Sequence, residues 1–284
     1  MKLATFTHDL KTRFGVVDAD RVVDVTSGAS DLPRDLASFL ELGPGAFERV
    51  RAALKSAPRL GLAEVKLEAP IPRPSKFLAV GLNYRDHVEE VGDSLPELPS
   101  CFVKLANAIN GPYDPVQRPR VSDTLYYEAE LGFVIGKRGR HIGKADAAAH
   151  IAGYCVVNDF STRGWQRLSP QVVLAKNFDT HAPFGPWITT PDEVGDPHAL
   201  RIRAFVNGET RQDSNTANMI LSCFELVEIL SRAMTLEVGD VVTTGTPSGV
   251  GMGFKPPRWL KVGDMVRIEI EKLGAIENRV IDEP

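Results

Sequence analysis

From Lys76 to the C-terminus the chain returns again and again to strand-like text, with no regular helices in between. "KFLAVGLNY", "SCFVKLANAI", "LYYEAELGFVIG", "IAGYCVVNDFS", "LRIRAFVNGETRQDS", "GDVVTTG" and "DMVRIEIEKLGAIENRVI" are rich in β-branched and aromatic residues and end in Gly, Asn, Asp or Pro. Asn207-Gly208 between two such runs is a hairpin signal, because both residues tolerate positive φ. Helical patterns are fewer: 86–91, 145–150 and 222–234, the last with an apolar face of Phe224, Leu226, Val227, Ile229 and Leu230. A TIM barrel or Rossmann sheet needs strands and helices in alternation, so this order disfavours both. The expectation is an α+β, mostly β fold: an antiparallel or mixed sheet with a few covering helices.

Residues 1–70 read as a separate small unit. "KLATFT", "RFGVVDADRVVDV" and "RLGLAEVKL" look like short strands, and "SFLELGPGAFERVRAAL" like helix broken at Gly-Pro-Gly. "APIPRPSKF" then brings three prolines, which fix the backbone and remove donors, so it reads as a linker or extended entry. Two units are expected, 1–70 and 71–284, the second carrying the chemistry. The net charge of −4 gives no basic footprint for nucleic acid and no attraction to an anionic membrane. The N-terminus has charges at Lys2, Asp9, Lys11 and Arg13 and no apolar stretch fit for a signal or a span. Cys101, Cys155 and Cys223 are too scattered for a metal cluster or disulfide framework. They read as reduced core thiols of a cytosolic protein.

Chemistry concentrates in a few places. In "YYEAELGFVIG", Glu128 and Glu130 are two apart, so on a strand they share one face. Solvent, neighbouring cations or a bound cation would each make that pair tolerable. Asp159 closes the apolar run "YCVVNDFS", as a turn residue, a helix cap or a ligand. Two glutamates and an aspartate offer only hard oxygen donors, which suit Mg²⁺, Mn²⁺ or Ca²⁺ better than zinc. A helical turn beginning after Asp159 would put Arg163 and Gln166 on one face, with Arg163 able to grip a carboxylate or form a surface ion pair. Lys176 follows Val172, Val173, Leu174 and Ala175, so it either reaches back to the surface or pairs with an acid inside. His87 and Glu90, three apart on a helical turn, form either a solvated acidic face or a base and its orienting carboxylate. "TTGTPSGVGMGF" lacks the context of a dinucleotide fingerprint and the Lys-Ser/Thr of a Walker loop. It reads as a tight turn, or as a loop whose N–H groups and Thr246 hydroxyl cradle an anion.

In order and spacing, "KFLAVGLNYRDHVEE", "EAELGFVIG", "AGYCVVNDFSTRGWQ", "AKNFDTHAPFGP", "VNGETRQDSNTANMI", "GDVVTTGTPSGVG" and "LKVGDMVRIEIEKLGAIENRV" resemble the fumarylacetoacetate hydrolase family over about residues 70–282. The N-terminal piece is similar to the small extra domain of its longer bacterial members. The resemblance implies a mixed β-roll, usually a homodimer. It implies Glu128, Glu130 and Asp159 as ligands of Mg²⁺ or Mn²⁺, and Lys176 beside the metal. Arg163, Gln166 and Thr246 fall on its substrate-binding positions, and His87 and Glu90 on the His–Glu pair of a lid. Its substrates are small 2-oxo acids. The implied reaction is hydrolysis of the C–C bond of a 2,4-dioxo acid through a pyruvate enolate, with oxaloacetate decarboxylation and isomerisation or hydration of dienols as the alternatives. Gly164 stands where family members often have Asp, and His181 where they often have Phe. The lid, around 85–100, and the loop near His181 are the expected contacts of the substrate's distal group.

Overall fold

The computed structural model describes residues 1–29, 31–92 and 98–284. The first strands are β1 (Lys2–His8), β2 (Lys11–Asp18), β3 (Arg21–Val23), β4 (Arg59–Gly61) and β5 (Lys66–Leu67). Next come β6 (Phe77–Gly81), β7 (Ser100–Val103), β8 (Ile109–Asn110), β9 (Val116–Arg118), β10 (Leu125–Tyr126) and β11 (Ala129–Ile135). β12 (Ile151–Asn158), β13 (Ser161–Thr162), β14 (Ala182–Thr189), β15 (Arg201–Val206) and β16 (Glu209–Asn215) follow. β17 (Val241–Thr243), β18 (Met265–Ile270) and β19 (Gly274–Asp282) complete the set. The protein is mostly sheet with few helices, as its sequence suggested.

The main sheet runs β4-β3-β2-β1-β14-β12-β11-β17-β6-β7, with β5 and β8 attached to β1 and β14. A second sheet, β16-β15-β18-β19-β9, packs over it. β11 shows why the two sheets belong together. Every residue of it is buried, because it is flanked by β12 and β17 and covered on both faces. Ala129, Leu131, Phe133 and Ile135 point into a core shared with Ile202, Ala204, Val266, Ile268 and Ile276 of the second sheet. Val134, of opposite parity, joins a core with Leu36, Phe39, Leu40 and Val50, from the helices Leu36–Glu41 and Ala46–Ala53. Those helices lie within residues 1–70, and β1 extends the main sheet by pairing with β14, Lys2 opposite Thr189 and Leu3 opposite Ile188. Asn207 and Gly208 take φ of 53° and 81° at the β15–β16 turn, the hairpin geometry expected of Asn-Gly.

Some local expectations change. Residues 145–150 hold only a 3-10 turn, Ala147–His150, before β12 begins. Cys155 and Cys223 are core residues, but Cys101 is exposed: β7 is the last strand of its sheet and leaves one side uncovered. Among the described residues no helix is long and apolar enough to cross a membrane.

Candidate metal centre and active site

Glu130 sits second in β11 and shares parity with Gly132 and Val134. Glu128 comes just before the strand, yet the ladder continues through it: the Asp159 N–H donates to the Glu128 carbonyl at 3.0 Å. The pairing of β11 with β12 therefore carries Asp159, just past the end of β12, alongside the two glutamates. Each of the three supplies a carboxylate oxygen within 4.8 Å of the others, and all three are buried.

Two lysines share this burial. Lys176 ends the short helix Val173–Lys176, and its Nζ donates to Glu128 Oε2 at 2.6 Å and Asp159 Oδ2 at 2.8 Å. Of the two readings of Lys176, the structure shows the internal ion pair. Lys104, just beyond β7, donates to Asp159 Oδ1 at 2.5 Å and to the carbonyls of Lys176 and His181. Glu130 meets neither ammonium. Its Oε2 accepts from the Thr243 hydroxyl and from the Gly245 N–H at 3.0 Å.

The ionisation behaviour follows from this arrangement. Burial, then the negative charges of Asp159 and Glu128, push Glu130 well above the usual carboxylate range. Burial also works against the Asp159 charge, but Lys104 and Lys176 outweigh it and hold its pKa down. For Lys176, burial is overcome by Asp159 and Glu128, which raise its pKa well above the ordinary value. Burial dominates at Lys104 and lowers its pKa in spite of Asp159, with Lys176 acting the same way. Three buried carboxylates thus face two buried ammonium groups, and Glu130 is the carboxylate that neither ammonium reaches. All-oxygen donors, close spacing and a charge deficit together fit a hard divalent cation, and Glu128, Glu130 and Asp159 are the residues that would hold it.

These groups open into a cavity of about 250 Å³, whose lining includes Glu128, Glu130, Lys176, Arg163, Gln166, Thr246 and His87. The helical turn expected directly after Asp159 begins later. β13 intervenes to pair with β10, and the helix runs Arg163–Gln166. Gln166 Oε1 accepts from Tyr126 Oη and Arg163 Nη1, both at 3.1 Å, so its amide N–H groups remain for a ligand. Thr246 Oγ1 accepts from Gln212 Nε2 at 2.8 Å, which leaves its own hydrogen free to donate. Two backbone donors of the 243–254 loop serve the protein itself. The Gly245 N–H goes to Glu130, and the Gly249 N–H goes to Glu90 at 2.8 Å, so these two donors cradle carboxylates of the chain instead of a ligand's. Gly249 has φ +96°, and a Cβ there would lie 2.1 Å from the Arg211 carbonyl.

His87 and Glu90 lie on the helix Arg85–Val91, with His87 Nδ1 3.1 Å from Glu90 Oε2. A carboxylate only accepts, so Nδ1 carries the hydrogen and Nε2 presents a lone pair. The lid expected over 85–100 is described as far as 92 and again from 98; positions 93–97 lie outside the described residues. Gly164 is exposed, with its N–H on Thr124 Oγ1 at 2.8 Å. His181 is not among the cavity-lining residues. It is fully buried, its Nε2 2.9 Å from the Gln117 carbonyl, and burial pushes its pKa down to about 3. Its contribution to the site is a backbone carbonyl on Lys104.

Three contributors escaped the sequence reading. Lys104 lies 24 residues before Glu128 in an ordinary apolar run, and only the folded sheet shows its partner. Gln212 donates to Thr246 and to the Pro247 carbonyl, and its Oε1 accepts from the Ala129 N–H between the two glutamates. Thr243 was visible only as part of a Gly-Thr loop. Its signal was a threonine at the end of a strand that neighbours β11.

The family model for the fumarylacetoacetate (FAA) hydrolase C-terminal domain matches residues 76–281. The chain is 46% identical over 263 residues to the mitochondrial oxaloacetate tautomerase FAHD2A of Bos taurus, covering 92% of this chain and 84% of that one. It superposes on a fumarylacetoacetate hydrolase from Exiguobacterium antarcticum with a TM-score of 0.87 and 36% identity, over the full length of both chains. A maleylpyruvate hydrolase from Sphingobium sp. SYK-6, solved with manganese(II) and pyruvate, matches over both full lengths with a TM-score of 0.85 and 33% identity.

Proposed function

The chain belongs to the fumarylacetoacetate hydrolase family of enzymes, and from that premise we propose that it moves a proton at C3 of a small 2-oxo acid, interconverting the enol and keto forms of an oxaloacetate-like dicarboxylate. The observation that carries this reading is one small cavity lined by His87 and by Glu128 and Glu130, the two glutamates whose carboxylates cluster with that of Asp159. A divalent ion, Mg²⁺ or Mn²⁺, held by Glu128, Glu130 and Asp159 would supply positive charge beside the 2-oxo group and so acidify the C3 hydrogens.

The remaining roles follow from side-chain chemistry. His87 Nε2 takes the C3 proton from the keto form, or delivers a proton to C3 of the enolate once the enol oxygen has lost its proton to solvent, while Glu90 steadies the ring. Arg163 pairs with the distal carboxylate, which favours a dicarboxylate in so small a space. Two of the three Lys176 N–H donors are spent on Glu128 and Asp159, and the third can meet the substrate's 2-oxo oxygen. Gln166 and Thr246 donate to carboxylate oxygens. Similarity to the Bos taurus tautomerase supports oxaloacetate as the substrate.

Hydrolysis of a C–C bond in an acylpyruvate is the second reading. The His87–Glu90 pair has the geometry to deprotonate a water as well as a carbon acid, and the Sphingobium relative is a hydrolase. One panel decides between them: enol-oxaloacetate and a series of acylpyruvates, each with Mg²⁺ and Mn²⁺. Loss of the enol absorbance without release of pyruvate supports the tautomerase. Pyruvate and a carboxylic acid from acylpyruvates alone would replace it with the hydrolase, and pyruvate with CO₂ from oxaloacetate would replace it with a decarboxylase.

A further inference from the structure

The helix that carries His87 is held to the rest of the protein by a side chain with no part in the chemistry above. Asp86 precedes His87 in the first turn. Its Oδ1 accepts from the His87 N–H at 2.9 Å. Its Oδ2 accepts from the Ser214 hydroxyl at 3.0 Å and the Ser248 hydroxyl at 3.3 Å. Ser214 belongs to β16, two residues from Gln212, and Ser248 follows the Thr246-Pro247 turn that Gln212 binds. One carboxylate thus ties the His87 backbone to both the strand and the loop that flank the cavity. At the other end of the helix, Glu90 Oε1 accepts from the Gly249 N–H, next to Ser248. Just before the helix, Asn83 donates to the Leu221 and Thr244 carbonyls and accepts from the Leu221 N–H. Tyr84 at its N-cap makes no side-chain cap bond, and His87 and Val88 are its buried residues. A carboxylate in the first turn also suits the helix dipole.

The geometry points to Asp86 as a positioning residue that sets His87 over the cavity through Ser214 and Ser248. This inference rests on the reading that His87 transfers the proton. Asp86 touches no substrate in this account, so its removal should lower kcat while KM and the affinity for Mn²⁺ stay as they are. A shift of the base by about an ångström corresponds to a loss of roughly 10²-fold in rate.

The test compares Asp86→Ala, Asp86→Asn, the pair Ser214→Ala with Ser248→Ala, His87→Ala, and Asp86→Ala combined with His87→Ala, all in the full chain with Mn²⁺. Asp86→Ala and the double serine variant should both lose kcat, with KM and Mn²⁺ affinity, read by calorimetry, unchanged. Asp86→Asn, which keeps an oxygen for the His87 N–H and an amide the serine oxygens can accept from, should recover most of the rate. Amide hydrogen exchange should quicken over 85–91 and nowhere else. A residue acting only through His87 adds nothing once His87 is gone, so the Asp86→Ala, His87→Ala protein should be no slower than His87→Ala alone. If His87→Ala turns over like wild type, the proton-transfer reading has failed. If His87→Ala is slow but Asp86→Ala and the serine pair run at the wild-type rate, the positioning role has failed. Additive losses, or a weakened Mn²⁺ affinity in Asp86→Ala, would also overturn it. The serine pair keeps the test decisive if Asp86→Ala does not fold.

Discussion

The two walls of the cavity are built differently. The acidic wall hangs on strands sealed between two cores, and Glu128, Glu130, Asp159, Lys104 and Lys176 are all buried. The facing wall is a seven-residue helix, Arg85–Val91, too short to persist by itself. Another helix shows what firm attachment looks like in this chain. Cys223–Ala233 has eleven residues, a Ser222–Glu225 capping box, and Cys223, Leu226, Val227, Leu230 and Ser231 buried. Each fully buried Leu or Val there is worth about 1.5–3 kcal/mol. The His87 helix has polar latches in place of that face: Asp86 to two serines and Glu90 to Gly249. The contrast separates two tasks. Charge that must stay at fixed positions is set in the core, and the proton carrier of the proposed mechanism, His87, is set on a short helix with two buried residues.

The largest effect should come from the acidic wall. Lys176→Met strands Glu128 and Asp159 without their shared ammonium, and breaking such a buried pair costs about 3–5 kcal/mol. Denaturant melts should show that loss together with abolished turnover; a melt near wild type would mean the wall is less tightly coupled than its burial implies. His87→Ala on the other wall should reverse the balance. Its kcat should drop by about 10²–10⁴-fold, and its melting midpoint should shift little. A large fall in stability would place the helix among the structural elements and undo the contrast. Gly249→Ala probes the seam between the walls. Its φ of +96° and the 2.1 Å approach to the Arg211 carbonyl give an alanine no place, so about 1–2 kcal/mol or more should be lost, and the Glu90 latch with it. Unchanged stability and rate would show that the loop adapts freely.

The smallest effect belongs to the firmly capped helix. The hydrogen bond from Ser222, then that from Lys144, lowers the Glu225 pKa from 4.5 to about 2. A carboxylate whose folded pKa is depressed stabilises the fold above its unfolded pKa and loses that contribution as pH falls through the folded value. Glu225→Gln should therefore be less stable than wild type above pH 4.5, by less than about 1 kcal/mol because the pair is solvent-screened. The gap should close as pH falls toward about 2. A gap that persists at low pH would assign the effect to packing instead of charge.

The sequence was most legible where spacing alone decides geometry. The period of two that put Glu128 and Glu130 on one face, and the Asn207-Gly208 turn, needed no knowledge of distant partners. His87 and Glu90, three apart, could be paired for the same reason. What stayed hidden depends on contacts between elements far apart in the chain. Lys104 reads as one more strand residue until β11, β12 and the 173–176 helix converge on it. Asp86 reads as one charge in an acidic helix until Ser214 and Ser248, more than 120 residues away, close on it. Cys101 was expected inside because cysteine usually is, and local sequence does not show which strand ends a sheet. The loop of 243–254 read either as a plain turn or as an anion cradle, and two of its N–H groups are aimed at carboxylates, but at those of Glu130 and Glu90.

The most direct test of the account is a Mn²⁺ titration of the metal-free protein by calorimetry, comparing wild type with Glu130→Ala and His87→Ala. Glu130 bonds to neither lysine of the acidic wall, so its carboxylate can be removed without breaking an ion pair. The prediction is one high-affinity ion per chain in wild type and in His87→Ala, and none in Glu130→Ala. Equal Mn²⁺ affinity in wild type and Glu130→Ala would contradict the assignment of the metal to Glu128, Glu130 and Asp159, and with it the chemistry derived from that site.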